Sequence, residues 1–187
     1  MIIIKTDIHE VKLLKPSVFP DDRGFFQQTY HEKQYHEMGL TAHFVQDNWS
    51  RSACGVLRGL HYQLRNAQDK LVSVVRGEVF DVAVDIRQGS PTFGRWVGTI
   101  LSEKNHHQLF IPQGFAHGFC VLSSEVDMVY KCSDFYTLSD EYALRWNDSD
   151  VGIQWPGQDF LVSEKDQKAP LLKNIPPHQL PIFGGNS

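Results

Sequence analysis

Short apolar runs separated by turn residues recur along the chain, and the run at residues 79–86 alternates regularly. If this run is a strand, its even-numbered side chains lie on one face and its odd-numbered ones, including Asp81 and Asp85, lie on the other. Turn clusters follow at intervals of about 8–12 residues, a spacing typical of β-sandwiches and small barrels. We therefore predict an all-β protein with strands at residues 11–14, 44–45, from 56 onward, 71–75, 79–86, 96–101, 108–111, 119–122, 126–132 and 144–146.

Helical patterns are few and short. Residues 32–38 have room for two helical turns, closed by Gly39 at the position where helices commonly end in a left-handed residue. Ser163 and Asp166 have the spacing of a helix start, with Ser163 as the N-cap and Asp166 as the reciprocal cap. The fold class predicted is thus all-β with a few short helices.

The length and continuity of the chain predict a single domain, residues 1–187. A chain of 187 residues can bury a substantial core, and no repeat, linker or low-complexity segment divides it. Hydrophobic residues make up 41% and charged residues 21%, as in ordinary soluble globular proteins. The Pro- and Gly-rich end predicts an irregular tail at about 175–187, with residues 184–187 disordered.

Charge and cysteine content exclude several classes of function. The net charge of −4 and the pI near 6.1 argue against binding to nucleic acid, which requires a basic face. No apolar run approaches the roughly 20 residues that span a bilayer, and the start of the chain lacks a signal-peptide pattern, so we expect a cytoplasmic protein without membrane contact. The three cysteines are odd in number and lack metal-site spacing, which indicates reduced thiols, with Cys132 in the core.

Basic residues concentrate in one stretch of this slightly acidic chain. Residues 48–70 contain four basic residues, Arg51, Arg58, Arg65 and Lys70, but a single acid, Asp69. This local excess of positive charge indicates an anionic ligand. His61 lies among these basic residues, and histidine is the residue type whose reference pKa, about 6.5, suits proton transfer at neutral pH. The alternative is an edge strand whose basic side chains are simply solvated.

Two further runs carry candidate chemistry. In the strand at 126–132, Tyr130 shares the apolar face, so it should point inward, either to complete the core or to face a ligand cavity. The spacing Pro112-x-Gly114-x-x-His117 resembles the second motif of the cupin superfamily, whose members are jelly-roll barrels. Metal-dependent cupins use this histidine together with an earlier His-x-His and a glutamate. Here the earlier position holds a single histidine with no carboxylate nearby, so we expect no metal; a metal-dependent cupin using His61 and His117 stays an alternative.

Longer motifs resemble one particular family, the dTDP-4-dehydrorhamnose 3,5-epimerases. The similarity runs from Ile2 to Leu172, nearly the whole chain, and implies a cupin-type jelly-roll β-sandwich or barrel, a homodimer, and catalysis without metal or cofactor. The motifs that carry it are RGFF at 23–26, VQDN at 45–48, LRGLH at 57–61, GEVFDVAVDIR at 77–87, SPTFG at 90–94 and IPQGFAHGF at 111–119.

The resemblance implies a reaction and roles for four residues. Family members invert C3 and C5 of dTDP-4-keto-6-deoxy-D-glucose, next to its C4 ketone, to give dTDP-4-keto-L-rhamnose for dTDP-L-rhamnose biosynthesis. His61 matches the base, Tyr130 the acid on the opposite face, and Lys70 the cation near the carbonyl oxygen. Asp166 matches the aspartate that orients His61. Whether the product feeds a cell-surface polysaccharide or a secondary metabolite stays open.

The resemblance also implies a set of substrate-binding residues. At one of these positions the family commonly has Glu, and this chain has Gln28. That departure keeps open an epimerase acting at C3 or C5 alone, and a non-catalytic nucleotide-sugar binder is a further alternative. In this set Tyr136 matches the aromatic residue that stacks on thymine. The positions are Arg23, Gln28, Gln46, Asn48, Arg58, Lys70, His117, Tyr136, Glu141 and Lys165.

Overall fold

The structure is a computed structural model that describes residues 1–185. Within this range strands greatly outnumber helices, and none of the described helices is long and apolar enough to span a membrane. The two α-helices are α1 (Glu32–Glu37) and α2 (Glu164–Gln167). The strands are β1 (Ile2–Ile4), β2 (Lys12–Lys15), β3 (Val18–Asp21), β4 (Gly24–Gln27), β5 (Gln46–Ala53), β6 (Val56–Gln63), β7 (Lys70–Arg76), β8 (Glu78–Asp85), β9 (Trp96–Ser102), β10 (Gln108–Ile111), β11 (Phe115–Val121), β12 (Glu125–Cys132), β13 (Glu141–Ala143) and β14 (Leu161–Val162).

Two large sheets face each other in a cupin-type jelly roll. The first sheet has the strand order β1-β2-β10-β7-β12-β5, and the second has the order β13-β6-β11-β8-β9. All neighbours in these orders are antiparallel, while β14 adds to β6 in parallel. Strands β3 and β4 form a separate hairpin. The main core lies between the sheets: Val72 and Met128 from the first pack with Ala83 and Phe119 from the second.

The outer face of the second sheet is buried as well. Val82 and Val84 of β8 pack there against the C-terminal segment, where Leu172, Ile175 and Leu180 are buried. This explains why both faces of the run at 79–86 are rich in apolar residues. The tail contains short 3₁₀ turns at Leu172–Asn174 and Pro177–Gln179, and Asn186 and Ser187, part of the predicted disordered end, lie outside the described residues.

Most of the strand predictions are confirmed, and the errors are at ends. The strand at 108–111 is confirmed to the residue, and those at 71–75, 79–86, 96–101 and 126–132 within one. The prediction at 119–122 is wrong in its start, because β11 begins at Phe115 and includes Gly118, which has no strand propensity. The predictions at 44–45 and 144–146 are wrong as strands: β5 begins later, and β13 ends before Leu144, whose backbone still bonds to Leu60 in both directions.

Both short helices are confirmed. Helix α1 ends one residue earlier than predicted, and Gly39 follows it with φ of +77°. Ser163 caps α2, since its Oγ accepts a hydrogen bond from the Asp166 amide at 3.1 Å. The prediction that the Asp166 side chain caps the helix start in return is wrong. Its carboxylate turns toward β6 and accepts hydrogen bonds there.

The glycine in the turn between β7 and β8 allows a prediction about the free energy of unfolding. Gly77 has φ of +79°, and a Cβ there would lie 2.2 Å from the Glu125 carbonyl oxygen. Gly89 has φ of +81°, but a Cβ there would meet nothing within 4 Å. Both alanine variants place a Cβ on a left-handed backbone, which destabilises the fold by about 1–2 kcal/mol. Gly77→Ala also forces a steric clash, which costs about 1–3 kcal/mol more.

Urea unfolding should therefore show Gly77→Ala less stable than its matched control Gly89→Ala. Equal free energies of unfolding for the two variants would contradict the steric contribution at Gly77.

Candidate active site

A bulge in β6 brings two of the predicted residues to one side of the strand. Arg58 and His61 are three residues apart, so a regular strand would point them to opposite faces. Against β11, however, His61 pairs with His117 and Arg58 pairs with Phe119, so three steps of β6 match two of β11. Both side chains consequently line the same cavity between the sheets, about 480 Å³ in volume.

Glycine makes this bulge possible. Gly59 has φ of +115°, and a Cβ on it would lie 2.6 Å from the Gly118 Cα and 2.7 Å from the His117 carbonyl oxygen. A Cβ on Gly118 would in turn lie 2.6 Å from the Arg58 carbonyl oxygen. Neither position can hold a side chain without moving β6 away from β11.

His61 is held by a buried carboxylate, as the resemblance implies. Its Nε2 lies 2.6 Å from Asp166 Oδ1, and the Gly59 amide donates to Asp166 Oδ2 at 3.3 Å. Asp166 is only 3% exposed. Burial alone would raise the pKa of Asp166, but the hydrogen bonds from His61 and Gly59 hold that pKa below its ordinary value. The carboxylate therefore stays charged next to the imidazole.

The opposite sheet supplies Lys70 and Tyr130. Lys70 begins β7 and Tyr130 lies in β12, both in the first sheet, while His61 belongs to the second. All three line the first cavity and also a second cavity of about 310 Å³ that adjoins it. Burial lowers the pKa of Lys70 and raises that of Tyr130. The two alternatives left open for Tyr130 both describe its position, because it packs against the main core and also lines the two cavities.

His117 has a carboxylate partner of its own. Its Nε2 lies 3.0 Å from both carboxylate oxygens of Asp81, which is fully buried. The premise that the two histidines lack nearby carboxylates is thus wrong, since His61 has Asp166 and His117 has Asp81. Among residues 1–185, no three His, Cys, Asp or Glu side chains group closely enough to hold a metal ion.

The predicted binding residues divide between the two cavities. Arg58, His117 and Lys165 line the first. Arg58 is oriented by Ser52 of the first sheet, whose Oγ accepts from its Nε at 2.9 Å. The second cavity is lined by four more of the predicted residues, namely Gln46, Asn48, Tyr136 and Glu141.

Glu141 joins the two groups of residues. Its Oε2 accepts a hydrogen bond from the Tyr136 hydroxyl at 3.1 Å and forms an ion pair with Lys165. Burial would raise the pKa of Glu141, but Lys165 and the nearby His61 hold it below its ordinary value. The charged Glu141 thus connects the rim of the second cavity to helix α2.

Two predicted residues lie away from both cavities. Arg23 is on the β3–β4 hairpin, where its guanidinium bonds to Asp21 and its side chain is 89% exposed. Gln28 follows the same hairpin and is exposed. The structure of one chain does not bring either residue to the site.

Sequence reasoning missed some residues of the site. The strand alternation puts Asp81 on one face without indicating a role, although an acid on a strand buried on both sides signals an internal partner. The prediction that Cys132 is buried is confirmed, but the pattern does not show that it also lines the second cavity with Tyr130, whose face of β12 it shares. Gln63 also lines that cavity.

The site is thus built in a cupin-type jelly roll, where a histidine paired with a carboxylate faces a lysine and a tyrosine across the interior. The chain belongs to a family of isomerases, the dTDP-4-dehydrorhamnose 3,5-epimerase family, whose model matches residues 5–174. A Shigella flexneri protein of that name is 55% identical over 168 residues, which are 89% of this chain and 93% of that protein.

Two more relatives bear on its length and fold. A Neisseria gonorrhoeae protein named dTDP-4-dehydrorhamnose 3,5-epimerase is 57% identical over 89% of this chain, which spans about half (51%) of that longer protein. The crystal structure of dTDP-6-deoxy-D-glucose-3,5-epimerase from Legionella pneumophila, in complex with dTDP-4-keto-L-rhamnose, matches with a TM-score of 0.95. Its sequence is 53% identical, and the match covers 97% of each chain.

The contact between His61 and Asp166 predicts a pH dependence of stability. The pKa of Asp166 is lower in the folded protein than its value of about 3.9 in an unfolded chain, so its ionised form stabilises the fold above that pH. This contribution is lost as the pH falls through the folded pKa. Asp166→Asn should therefore flatten the fall in unfolding free energy on acidification below about pH 4, as measured by urea unfolding.

Glu164→Gln is the matched control on the same helix, because the Glu164 side chain is exposed and pairs with Lys168 at the surface. The control should keep the slope of the parent protein. An unchanged slope in Asp166→Asn would show that its carboxylate is not selectively stabilised in the fold.

Proposed function

We propose that this protein inverts C3 and C5 of dTDP-4-keto-6-deoxy-D-glucose to give dTDP-4-keto-L-rhamnose, a step of dTDP-L-rhamnose biosynthesis. The observation that carries the proposal is the placement of proton-transfer groups on opposite sheets. His61 with Asp166 approaches from the second sheet, and Tyr130 approaches from the first. A sugar ring held between the sheets would meet one group on each face.

The chemistry requires this two-sided arrangement. Removing a hydrogen next to a ketone gives an enolate, whose charge rests on the carbonyl oxygen. Inversion then needs a base on one face, a cation or donor at the oxygen, and an acid on the other face. His61 serves as the base, Lys70 as the cation and Tyr130 as the acid, and each proton-transfer group typically contributes about 10²–10⁴-fold.

Burial tunes these groups for their roles. A pKa of Tyr130 raised by burial keeps the phenol protonated at neutral pH, ready to donate. The charge of Lys70 interacts more strongly with an enolate oxygen in the partly buried cavity than in water, and losing such a group typically costs about 10²–10³ in rate. The charged Asp166 stabilises His61 once the imidazole has taken a proton.

The second cavity and the adjoining cations suit the nucleotide half of the substrate. Arg58 presents a guanidinium fork that matches phosphate oxygens, and Lys165 adds a second positive charge nearby. Tyr136 is about half exposed at the rim of the second cavity, where a thymine base could stack on its ring. Gln46 and Asn48 offer amide groups beside that ring.

Deuterium exchange tests the proposed reaction. Incubation with dTDP-4-keto-6-deoxy-D-glucose in D₂O should lead to deuterium at both C3 and C5, followed by NMR. His61→Ala should abolish exchange, whereas Tyr130→Phe should keep some exchange but lose inversion, because the base remains and the opposite-face acid is gone.

His9→Ala is the control, since the His9 side chain is 91% exposed and should not matter for turnover. Incorporation at one centre would limit the reaction to a single epimerisation, and none at either would leave a nucleotide-sugar binder. Loss of activity in EDTA that a divalent ion restores would overturn the metal-free mechanism.

We also infer a homodimer. The β3–β4 hairpin exposes Phe19, Phe25 and Phe26 by 60–67%, and a lone hairpin is marginally stable in water. A second copy covering these rings would bury them and would explain why Arg23 and Gln28 lie away from their own cavities. Sedimentation equilibrium should give twice the chain mass of 21.4 kDa; a monomeric mass would contradict the inference.

A cytoplasmic location is part of the same proposal. The three cysteines, Cys54, Cys120 and Cys132, are all free thiols, as expected in a reducing compartment. Fractionation of cells should place the protein with cytoplasmic markers, and recovery with membranes or the secreted fraction would refute this location.

A further inference from the structure

A continuous chain of hydrogen bonds runs along one wall of the second cavity. The Tyr136 amide donates to Gln46 Oε1 at 2.9 Å, and Gln46 Nε2 donates to Asn48 Oδ1 at 2.9 Å. Asn48 Nδ2 then donates to the Cys132 Sγ at 3.6 Å. The chain joins the segment after β12 to β5 and returns to the last residue of β12.

The direction of this chain is set at its start. A backbone N–H can only donate, so Gln46 must turn its oxygen toward Tyr136 and its NH₂ group toward Asn48. Asn48 must then accept with its oxygen, which leaves its NH₂ group facing Cys132. Reversing either amide would place two donors against each other. The last position therefore needs an acceptor, and the Cys132 sulfur fills it.

Cys132 is well placed for this task. It is 1% exposed, and on β12 it pairs with Gln46 of β5 on one side and with Lys70 of β7 on the other. Burial raises the pKa of its thiol, so the sulfur accepts as a neutral group rather than as a reactive thiolate. The thiol thus ends the chain without adding a negative charge next to Lys70.

We propose that Cys132 is a positioning residue, whose sulfur fixes the orientation of the Asn48 and Gln46 amides toward the nucleotide half of the substrate. The inference rests on the proposed function in one respect, that the second cavity takes the nucleotide. With the amides fixed, their remaining N–H groups and oxygen lone pairs present one pattern to a ligand, and binding needs no further ordering of these side chains.

Binding of dTDP, measured by calorimetry, tests the proposal with three variants. Cys132→Ala removes the acceptor and should weaken dTDP binding about fivefold, a typical effect of one lost neutral hydrogen bond. Cys132→Ser keeps an acceptor and should recover most of the loss. Cys120→Ala is the matched control, because Cys120 is a buried thiol in a separate apolar cluster and does not line either cavity. It should lower the melting temperature without changing dTDP affinity.

Steady-state kinetics separate positioning from catalysis. Loss of uniform binding should raise KM in Cys132→Ala with kcat nearly unchanged. A fall in kcat at constant KM would overturn the proposal, since it would place the role of Cys132 at Lys70. Equal dTDP affinity in Cys132→Ala and the parent protein would also overturn it. In that case the proposed function would still stand as long as the parent protein turns over the substrate.

A measurement without ligand keeps the proposal testable if the proposed function fails. The side-chain amide protons of Asn48 and Gln46, followed by ¹⁵N NMR, should exchange slowly in the parent protein and in Cys132→Ser, and faster in Cys132→Ala. Identical exchange in the parent and Cys132→Ala would show that the sulfur orients neither amide.

Discussion

The close approach of Gly59 to Gly118 is the constraint on which the rest of the site depends. Without it, β6 would run as a regular strand and would turn Arg58 away from the cavity that His61 faces. The same local geometry directs the Gly59 amide at Asp166, so one bulge both places the two side chains and anchors the carboxylate that holds His61. Adding a single methyl group to either glycine would displace Arg58 and His61 together, and with them the proposed binding and proton-transfer groups.

The two-sheet architecture then decides which chemistry the cavity can support. Side chains from one sheet approach a bound ring from one face only, so a one-sided site could remove and return a proton but not invert a centre. Because His61 and Tyr130 come from opposite sheets, the removal and return of a proton that we propose would occur on opposite faces of the ring. Lys70 enters on the Tyr130 side. Burial lowers its pKa, and its charged form interacts more strongly with charge that develops on oxygen than it would in water.

Sequence patterns predicted the fold well because strand alternation is a local property. They predicted β8 and β12 nearly to the residue, and they placed Tyr130 on the inward face. They could not show that Asp166 reaches His61, because 105 positions separate the two and the local pattern around Asp166 is that of a helix cap. Resemblance supplied that pair, whereas the pairing of His117 with Asp81 needed the register between two strands.

The two histidine–carboxylate pairs differ in how they are built, and this difference bears on function. Asp81 lies on β8, the strand next to His117, so the sheet ladder itself holds that pair. Asp166 instead lies on the one-turn helix α2, outside the sheets, and its neighbour Lys165 is tied through Glu141 to the rim of the second cavity. His61, the proposed base, therefore depends on an element that also contacts the rim of the second cavity, whereas the partner of His117 lies within the same sheet. A ligand that draws Lys165 away from Glu141 would act on the helix that orients His61 and would leave His117 in place.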